Sequence, residues 1–304
     1  MKTAIVGLGQ ASAKLPLQVW IPILMAASTL FASNHVAARI AFDHGATVAT
    51  GVVARAAGTA LVLLILMKAR GVAIALPREL RVPALLTGVF AAAQSYCLYS
   101  AIALIPAALA LLVFQSGPML FVVLSWTTGK EKPRASAFAA MLLALAGLAL
   151  ALNIRIEGFH ARWGEIGAGA SWAFGGAIAF MMMLYSNAHA LKAVDGRLRT
   201  FVMTAVTAAI VLAGGAAADV LALPRDLQGW TGIALLTVFY CGAMCTLFIS
   251  LPRLAVASTV ALNFEPIALL FLAWLFLGQS VAPLQIFGAF LTVGAIAWLG
   301  LAKK

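Results

Sequence analysis

Ten apolar segments, each about the length a helix needs to cross a bilayer, fill this 304-residue chain: 18–41, 46–67, 83–104, 106–128, 135–153, 165–186, 199–222, 230–250, 255–277 and 281–301. A span of the hydrocarbon core takes about 20 predominantly apolar residues. The runs are continuous, without the period-two alternation of a transmembrane β-barrel, so helices are the reading that fits. Composition agrees. Hydrophobic residues make up 64% and charged residues 10% of the chain, with a mean hydropathy of +1.05, against about 45–50% and about 25% in soluble domains. The sequence therefore predicts an all-α, polytopic membrane protein of ten transmembrane helices, and it excludes a disordered chain or a cytoplasmic enzyme. Residues 1–17 read as a short cytoplasmic tail, since the apolar run Ala4–Leu8 is shorter than the roughly 7–15 residues of a secretory h-region.

Charge sets the orientation. The net charge of +11 would suggest nucleic acid in a soluble protein, but here its position explains it. One set of loops carries Lys2, Lys14, Lys68, Arg70, Arg78, Arg81, Lys130, Lys132, Arg134, Lys192, Arg197, Arg199, Arg253, Lys303 and Lys304; the opposite set carries Arg155, Arg162 and Arg225. Lys and Arg concentrate in cytoplasmic loops, so both termini are expected in the cytoplasm. Cys97, Cys241 and Cys245 all fall within apolar segments and read as packing residues rather than a disulfide framework.

The two halves resemble each other. The fourth segment contains VFQSGPMLFVVLSWTTG and the ninth LNFEPIALLFLAWLFLG, with Pro118 and Trp126 in one and Pro266 and Trp274 in the other. The first has ASTLFASN from Ala27 and the sixth ASWAFGGA from Ala170. The chain thus divides into a first five-helix repeat, 18–153, and a second, 165–301. Five spans is an odd number, so the second repeat must be inverted, an arrangement typical of secondary transporters with a substrate site near the midplane.

With these features the sequence resembles the ten-helix drug/metabolite transporter superfamily, in particular its EamA-type exporters and their aromatic and neutral amino acid branch. The resemblance rests on ASNHVAARIAFDHGATVATGVVARAAGTALVL at 32–63, where Asn34, Arg39 and Arg55 match the family's Asn–Lys/Arg–Arg pattern, and on ALNFEPIALLFLAWLFLGQ at 261–279, where Glu265-Pro266 and Gly278 match its ninth-helix pattern. Many members have Glu after that glycine where this chain has Gln279. What the resemblance implies is export of small metabolites, amino acids among them, by alternation between inward- and outward-facing states.

Ionisable side chains within hydrocarbon are costly and mark candidate functional sites. Apart from Glu165 and Asp219 at segment ends, Glu265 is the acidic residue inside a segment, about ten residues along it and thus roughly 15 Å deep at about 1.5 Å per residue. It is a candidate proton carrier, a counter-charge for a substrate ammonium, or a structural ion-pair partner. Pro266 removes a helix hydrogen bond and frees a carbonyl in the preceding turn. Arg55, also near mid-depth, needs a partner, either Glu265 or a substrate carboxylate. Arg39 lies near the membrane surface and reads as a snorkelling side chain. Asn34 and His35 adjoin on the first segment; His35 is a second proton-coupling candidate or a histidine bonded to a backbone carbonyl. Gln94, Tyr96, Tyr99, Gln115, Trp172, Tyr240 and Asn263 supply the aromatic and amide groups of an expected cavity. No metal site is expected, because no second His or Cys stands at ligand spacing from His35, and no cofactor or enzymatic motif is read.

These readings converge on an inner (plasma) membrane secondary transporter exporting neutral or aromatic amino acids. Its expected partners are an amino-acid-like solute and the lipid bilayer, not nucleic acid, with the chain a monomer or weak homodimer. The alternatives are export of other amphipathic metabolites or drugs, or a receptor or scaffold without transport.

Overall fold

The computed structural model describes residues 17–72, 74–105, 107–130, 135–152, 163–250, 261–262, 264–277 and 282–301. Every regular element among them is helical. In chain order these are α1 (Leu17–Asp43), α2 (Val48–Ala69), α3 (Arg78–Leu104), α4 (Ala107–Phe114), α5 (Gly117–Thr127), α6 (Ala135–Leu152), α7 (Trp163–Tyr185) with a π-helical turn at Ser186–Ala190, α8 (Gly196–Ala217), α9 (Leu227–Ser250), α10 (Glu265–Leu277) and α11 (Pro283–Leu301). Among the described residues, seven helical stretches are long and apolar enough to cross a membrane: α1, α2, α3, α4 and α5 taken together, α7 with its π turn, α8 and α9. Residues 135–151 and 283–298 form shorter apolar helices.

Two expected segments are broken, both at proline. The fourth divides at Gln115-Ser116, and α5 restarts with Pro118 in its first turn. The ninth has short 3₁₀ geometry at Ala261, Leu262 and Phe264, and α10 begins only at Glu265. The expectation that Glu265 lies ten residues into a continuous helix is therefore corrected: it occupies the first turn. The cause is local. Proline lacks an N–H and has a pre-set φ, so it suits the first turn of a helix better than its interior, although α1 and α3 run on through Pro22 and Pro83. Leu262 belongs to the 3₁₀ stretch.

Helices from one half pack chiefly on helices from the other. The largest interfaces are α1 with α9, α3 with α7, α6 with α11 and α2 with α8, followed by α3 with α8, α2 with α9, and α1 with α10. In lipid, helices are held by close packing of small residues rather than by a hydrophobic gradient. Accordingly α9 meets α1 at Gly232, where a Cβ would lie 2.7 Å from the Ala41 nitrogen. Likewise α6 meets α11 at Gly147, where a Cβ would lie 2.7 Å from the Thr292 nitrogen. Thr292 Oγ1 also donates across that interface to the Ala144 carbonyl at 3.3 Å.

At one end of the bundle the α1–α2 turn joins the α8–α9 loop. His44 Nδ1 lies 2.6 Å from Asp226 Oδ2, and the Arg225 N–H donates to the His44 carbonyl at 2.9 Å. Gly45, at φ +97°, brings the turn against the Arg225 side chain. At the other end the corresponding junction is apolar: Val72 and Leu76 pack with Leu191, Val194 and Leu198.

Candidate functional site

A small cavity between the helices, of about 40 Å³, takes its walls from α1, α2, α3, α4, α7, α9 and α10. Asn34, His35, Arg55, Gln94, Tyr240 and Glu265 line it, along with the apolar Phe31, Phe114, Phe180 and Met183. Six of the sequence-predicted residues thus share one cavity. They come from five helices, and each is placed there by helical phase.

Arg55 is the best-held group. It is 4% exposed. Its Nη1 donates to Asn34 Oδ1 at 3.2 Å and to the Tyr99 hydroxyl at 3.0 Å. Tyr99 in turn donates to Asn34 Oδ1 at 3.2 Å, and Asn34 Nδ2 donates to the Leu236 carbonyl at 3.0 Å. The guanidinium carbon lies 4.9 Å from the Tyr99 ring centroid and 4.2 Å from that of Tyr240, within the range of a cation–π contact. Asn34, Tyr99 and two ring faces hold the charge, and no described carboxylate pairs with it. Its Nε has no hydrogen-bond partner among the described residues.

The carboxylate that the sequence offered to Arg55 goes elsewhere. His35 Nε2 lies 2.8 Å from Glu265 Oε1, with both side chains about a tenth exposed. The alternative of a backbone carbonyl for His35 is likewise replaced by this pairing. His35 Nδ1 has no described partner. Glu265, at the start of α10, also meets the positive end of the helix dipole.

The irregular backbone before α10 is answered from neighbouring helices. Pro266 has no N–H for the carbonyl four residues back, that of Leu262. Gln115 Nε2 donates to that oxygen at 3.1 Å, and Ser28 Oγ donates to the Ala261 carbonyl at 3.4 Å. Non-helical backbone at membrane depth requires such partners. Gln115, predicted as a lining residue, is 1% exposed and serves this purpose: it links the break between α4 and α5 to the break before α10.

Tyr99 is buried behind the cavity wall, its ring edge-on to His35 at 5.9 Å between centroids. Tyr96 and Trp172 stand apart from the cavity. They are 45% and 41% exposed and meet each other edge-to-face at 6.2 Å. Gln94 and Leu98 face the cavity one turn apart, and at about 100° per residue Tyr96 falls on the opposite side of α3. Asn263 lies outside the described residues. No group of three His, Cys, Asp or Glu suited to a metal ion occurs among the described residues.

Sequence reasoning missed a second polar cluster. Arg199, counted above as a loop cation, is 1% exposed. Its Nη1 donates to the Asn187 carbonyl at 2.7 Å and to the Leu191 carbonyl at 3.4 Å. Asn187 belongs to the π turn that ends α7. The signal lay in the register: Arg199 is the fourth residue of α8, where a cation is on the unfavourable side of the helix dipole and needs acceptors of its own.

No curated protein matches the chain. Among solved structures, a crystal structure of another protein is 21% identical, covering 93% of this chain and 98% of its own, with a TM-score of 0.76. At that identity the likeness speaks for the fold. The model of the EamA-like transporter family matches residues 18–153, which take in α1 to α6 and so carry Asn34, His35, Arg55, Gln94 and Gln115. Over these residues, somewhat under half of the chain, this multi-pass membrane protein is similar to the EamA-like transporter family.

Proposed function

We propose that the protein is a secondary transporter of small organic metabolites, exporting neutral or aromatic amino acids by alternating access. One observation carries this: Arg55 presents a buried cation, without a described carboxylate partner, to a cavity that also holds the His35–Glu265 pair. Arg55 brings that cavity a guanidinium charge to which no described carboxylate is bonded. A carboxylate is the group that answers it, since guanidinium grips carboxylate bidentately. The ammonium of the same solute would face Glu265, and Phe31, Phe114 and Phe180 would flank an apolar side chain. Glu265 and His35 are the candidate proton-coupling groups, Arg55 and Asn34 the candidate carboxylate site. Amphipathic cations, the drug-like alternative, are opposed by the charge of Arg55.

Ten spans in two inverted five-helix repeats are the architecture we infer for this cycle, counting α4 and α5 as one span. Exchanging each span of the first half for its counterpart in the second maps the principal interfaces onto one another. The α1–α9 interface maps onto α7–α3, α2–α9 onto α8–α3, and α1–α10 onto α7 with α4 and α5, while α2–α8 and α6–α11 map onto themselves. Residue pairs follow the same rule: Gly58 of α2 abuts Thr237 of α9, and Gly88 of α3 abuts Val206 of α8. Position 206 is 148 residues after 58 and position 237 is 149 after 88, while Pro118 to Pro266 and Trp126 to Trp274 are each 148 apart. The charge distribution of the loops supports an inner-membrane location with both termini in the cytoplasm.

The test is flux. Proteoliposomes containing the full chain should exchange a radiolabelled neutral or aromatic amino acid against a panel of unlabelled ones, with Arg55→Gln reducing exchange severely. If no amino acid in the panel is carried, the proposed substrate class is wrong.

A further inference from the structure

The ends of α5 and α7 meet in a basic cluster that the central cavity does not use. α5 closes on a glycine. Gly129 has a φ of +69°; its N–H donates to the Trp126 carbonyl and the Lys130 N–H to the Ser125 carbonyl, both at 2.9 Å, the paired bonds of a left-handed glycine C-cap. α7 closes in the π turn Ser186–Ala190. Each chain then leaves its helix toward an exposed lysine, Lys130 in one and Lys192 in the other. Both lysines stand near enough to His189 for their charges to act on it. His189 is itself fixed between the two helices: its Nε2 lies 3.3 Å from Ser125 Oγ, and its ring centroid 4.7 Å from that of Tyr185.

We propose that this cluster is a binding site for an anionic phospholipid, whose phosphodiester lies between Lys130 and Lys192 at the cytoplasmic face of the membrane. The proposal rests on the orientation inferred above and is independent of the solute that the central cavity takes.

Charge is the first argument. Two helix C-termini converge here, each equivalent to roughly half a negative charge, so together they offset about one of the two lysine charges. No described carboxylate bonds to Lys130, Lys192 or His189, and Asp195, three residues beyond Lys192, is already paired with Arg197 at 3.1 Å. About one positive charge is left over, the amount that one phosphodiester neutralises. The hydroxyls of the cluster are occupied with one another: Tyr185 donates to Thr128 Oγ1 at 3.1 Å and Thr128 to the Leu124 carbonyl at 2.7 Å. They form a floor, and the two ammonium groups supply the donors above it.

Depth is the second argument. Trp126, one turn before Lys130, is exposed. Tryptophan in a membrane helix favours the boundary between hydrocarbon and headgroups, so the lysines just beyond it stand at the level of lipid phosphates, and an acyl chain can lie along the indole. Basic pockets between helices on the cytoplasmic side suit such headgroups. A zwitterionic lipid brings an ammonium of its own, which two lysines repel. Free phosphate has no chain for Trp126 to meet.

The full chain in detergent, supplied with mixed micelles of phosphatidylglycerol and phosphatidylcholine, tests the site by native mass spectrometry of the lipid it retains. Phosphatidylglycerol should be held in preference to phosphatidylcholine, and inorganic phosphate should not displace it. Lys130→Gln and Lys192→Gln should each weaken retention by about fivefold, the weight of one basic residue at a charged membrane surface, and the double variant by about thirtyfold. Arg78→Gln with Arg81→Gln, which removes two cations from another loop assigned to the same face, should leave retention unchanged. Equal retention of the two lipids, displacement by inorganic phosphate, undiminished retention in the double lysine variant, or an equal loss in the arginine variant overturns the site. The wild-type comparison of the two lipids stands even if a variant fails to fold.

Discussion

Arg55 and Arg199 are both buried guanidinium groups in this bundle, one per half, and they are held in opposite ways. Arg199, in the first turn of α8, is bonded to carbonyls of the turn that follows α7. Arg55, in α2, is bonded to side chains, Asn34 and Tyr99, and sandwiched near two aromatic rings. Carbonyl acceptors belong to the backbone and go wherever the fold goes. Side-chain acceptors and ring faces orient a charge while leaving part of it open, and Arg55 keeps its Nε without a described partner beside a cavity. A buried cation is thus a structural clamp or a ligand receptor according to what surrounds it, and depth in the membrane alone does not decide which.

That contrast can be broken experimentally. The largest effect is expected from Arg199→Met, which leaves the Asn187 and Leu191 carbonyls without this donor. An unsatisfied buried polar group costs about 1–3 kcal/mol, so a clear drop in thermal unfolding temperature is expected, with solute affinity preserved in the folded fraction. Arg55→Lys should do the reverse. It retains charge but loses the planar fork, and affinity for a carboxylate-bearing solute should fall by about 1.5–3 kcal/mol, the range for hydrogen bonds to charged groups, with little change in unfolding temperature. Tyr99→Phe should be milder: the hydroxyl joining Arg55 to Asn34 is lost, at about 0.5–1.5 kcal/mol, readable as weaker solute binding.

The smallest effect concerns the end of the bundle near Arg199. Asp195 caps α8, accepting from the Arg197 N–H at 2.8 Å and from its guanidinium at 3.1 Å. Burial pushes the Asp195 carboxyl upward, but the hydrogen bonds from Arg197 outweigh it and hold the group below the usual carboxylate range. A lowered pKa in the folded state means that the cap stabilises above the ordinary carboxylate value and is lost as pH falls through the lower folded one. Asp195→Ala should therefore cost about 1 kcal/mol at neutral pH, and the difference from wild type should vanish in acid. At the far end Asp226 follows the same sign: the Gly229 N–H and then His44 lower its pKa.

Much of this was legible in the sequence because the bilayer imposes a strong code. Apart from the ninth segment, whose helix begins only at Glu265, the positions of the apolar segments agree with those of the helices to within about five residues, since span length and hydropathy are dictated by lipid. Asn34, His35, Arg55 and Glu265 stood out because polar groups in hydrocarbon are rare. What the sequence did not give was partner choice. Glu265 had two cations within plausible reach, and the selection of His35 over Arg55 depends on how α10 begins, which Pro266 decides. Nor was the orientation of Tyr96 evident until the phase of α3 was fixed by Gln94 and Leu98. Arg199 was hidden by its position: it adjoins a basic loop in sequence, and only the π turn folding back over it makes it interior.

The hydrogen bond from Gln115 to the Leu262 oxygen has a further consequence. That oxygen lost its helical donor to Pro266, and its replacement belongs to a segment some 150 residues away in sequence, in the opposite half. Should α10 draw away from α4, the oxygen would be stranded in an apolar surround unless water reached it. Opening of this seam and its hydration are therefore one event, and the ease of the movement is governed by how readily solvent can enter.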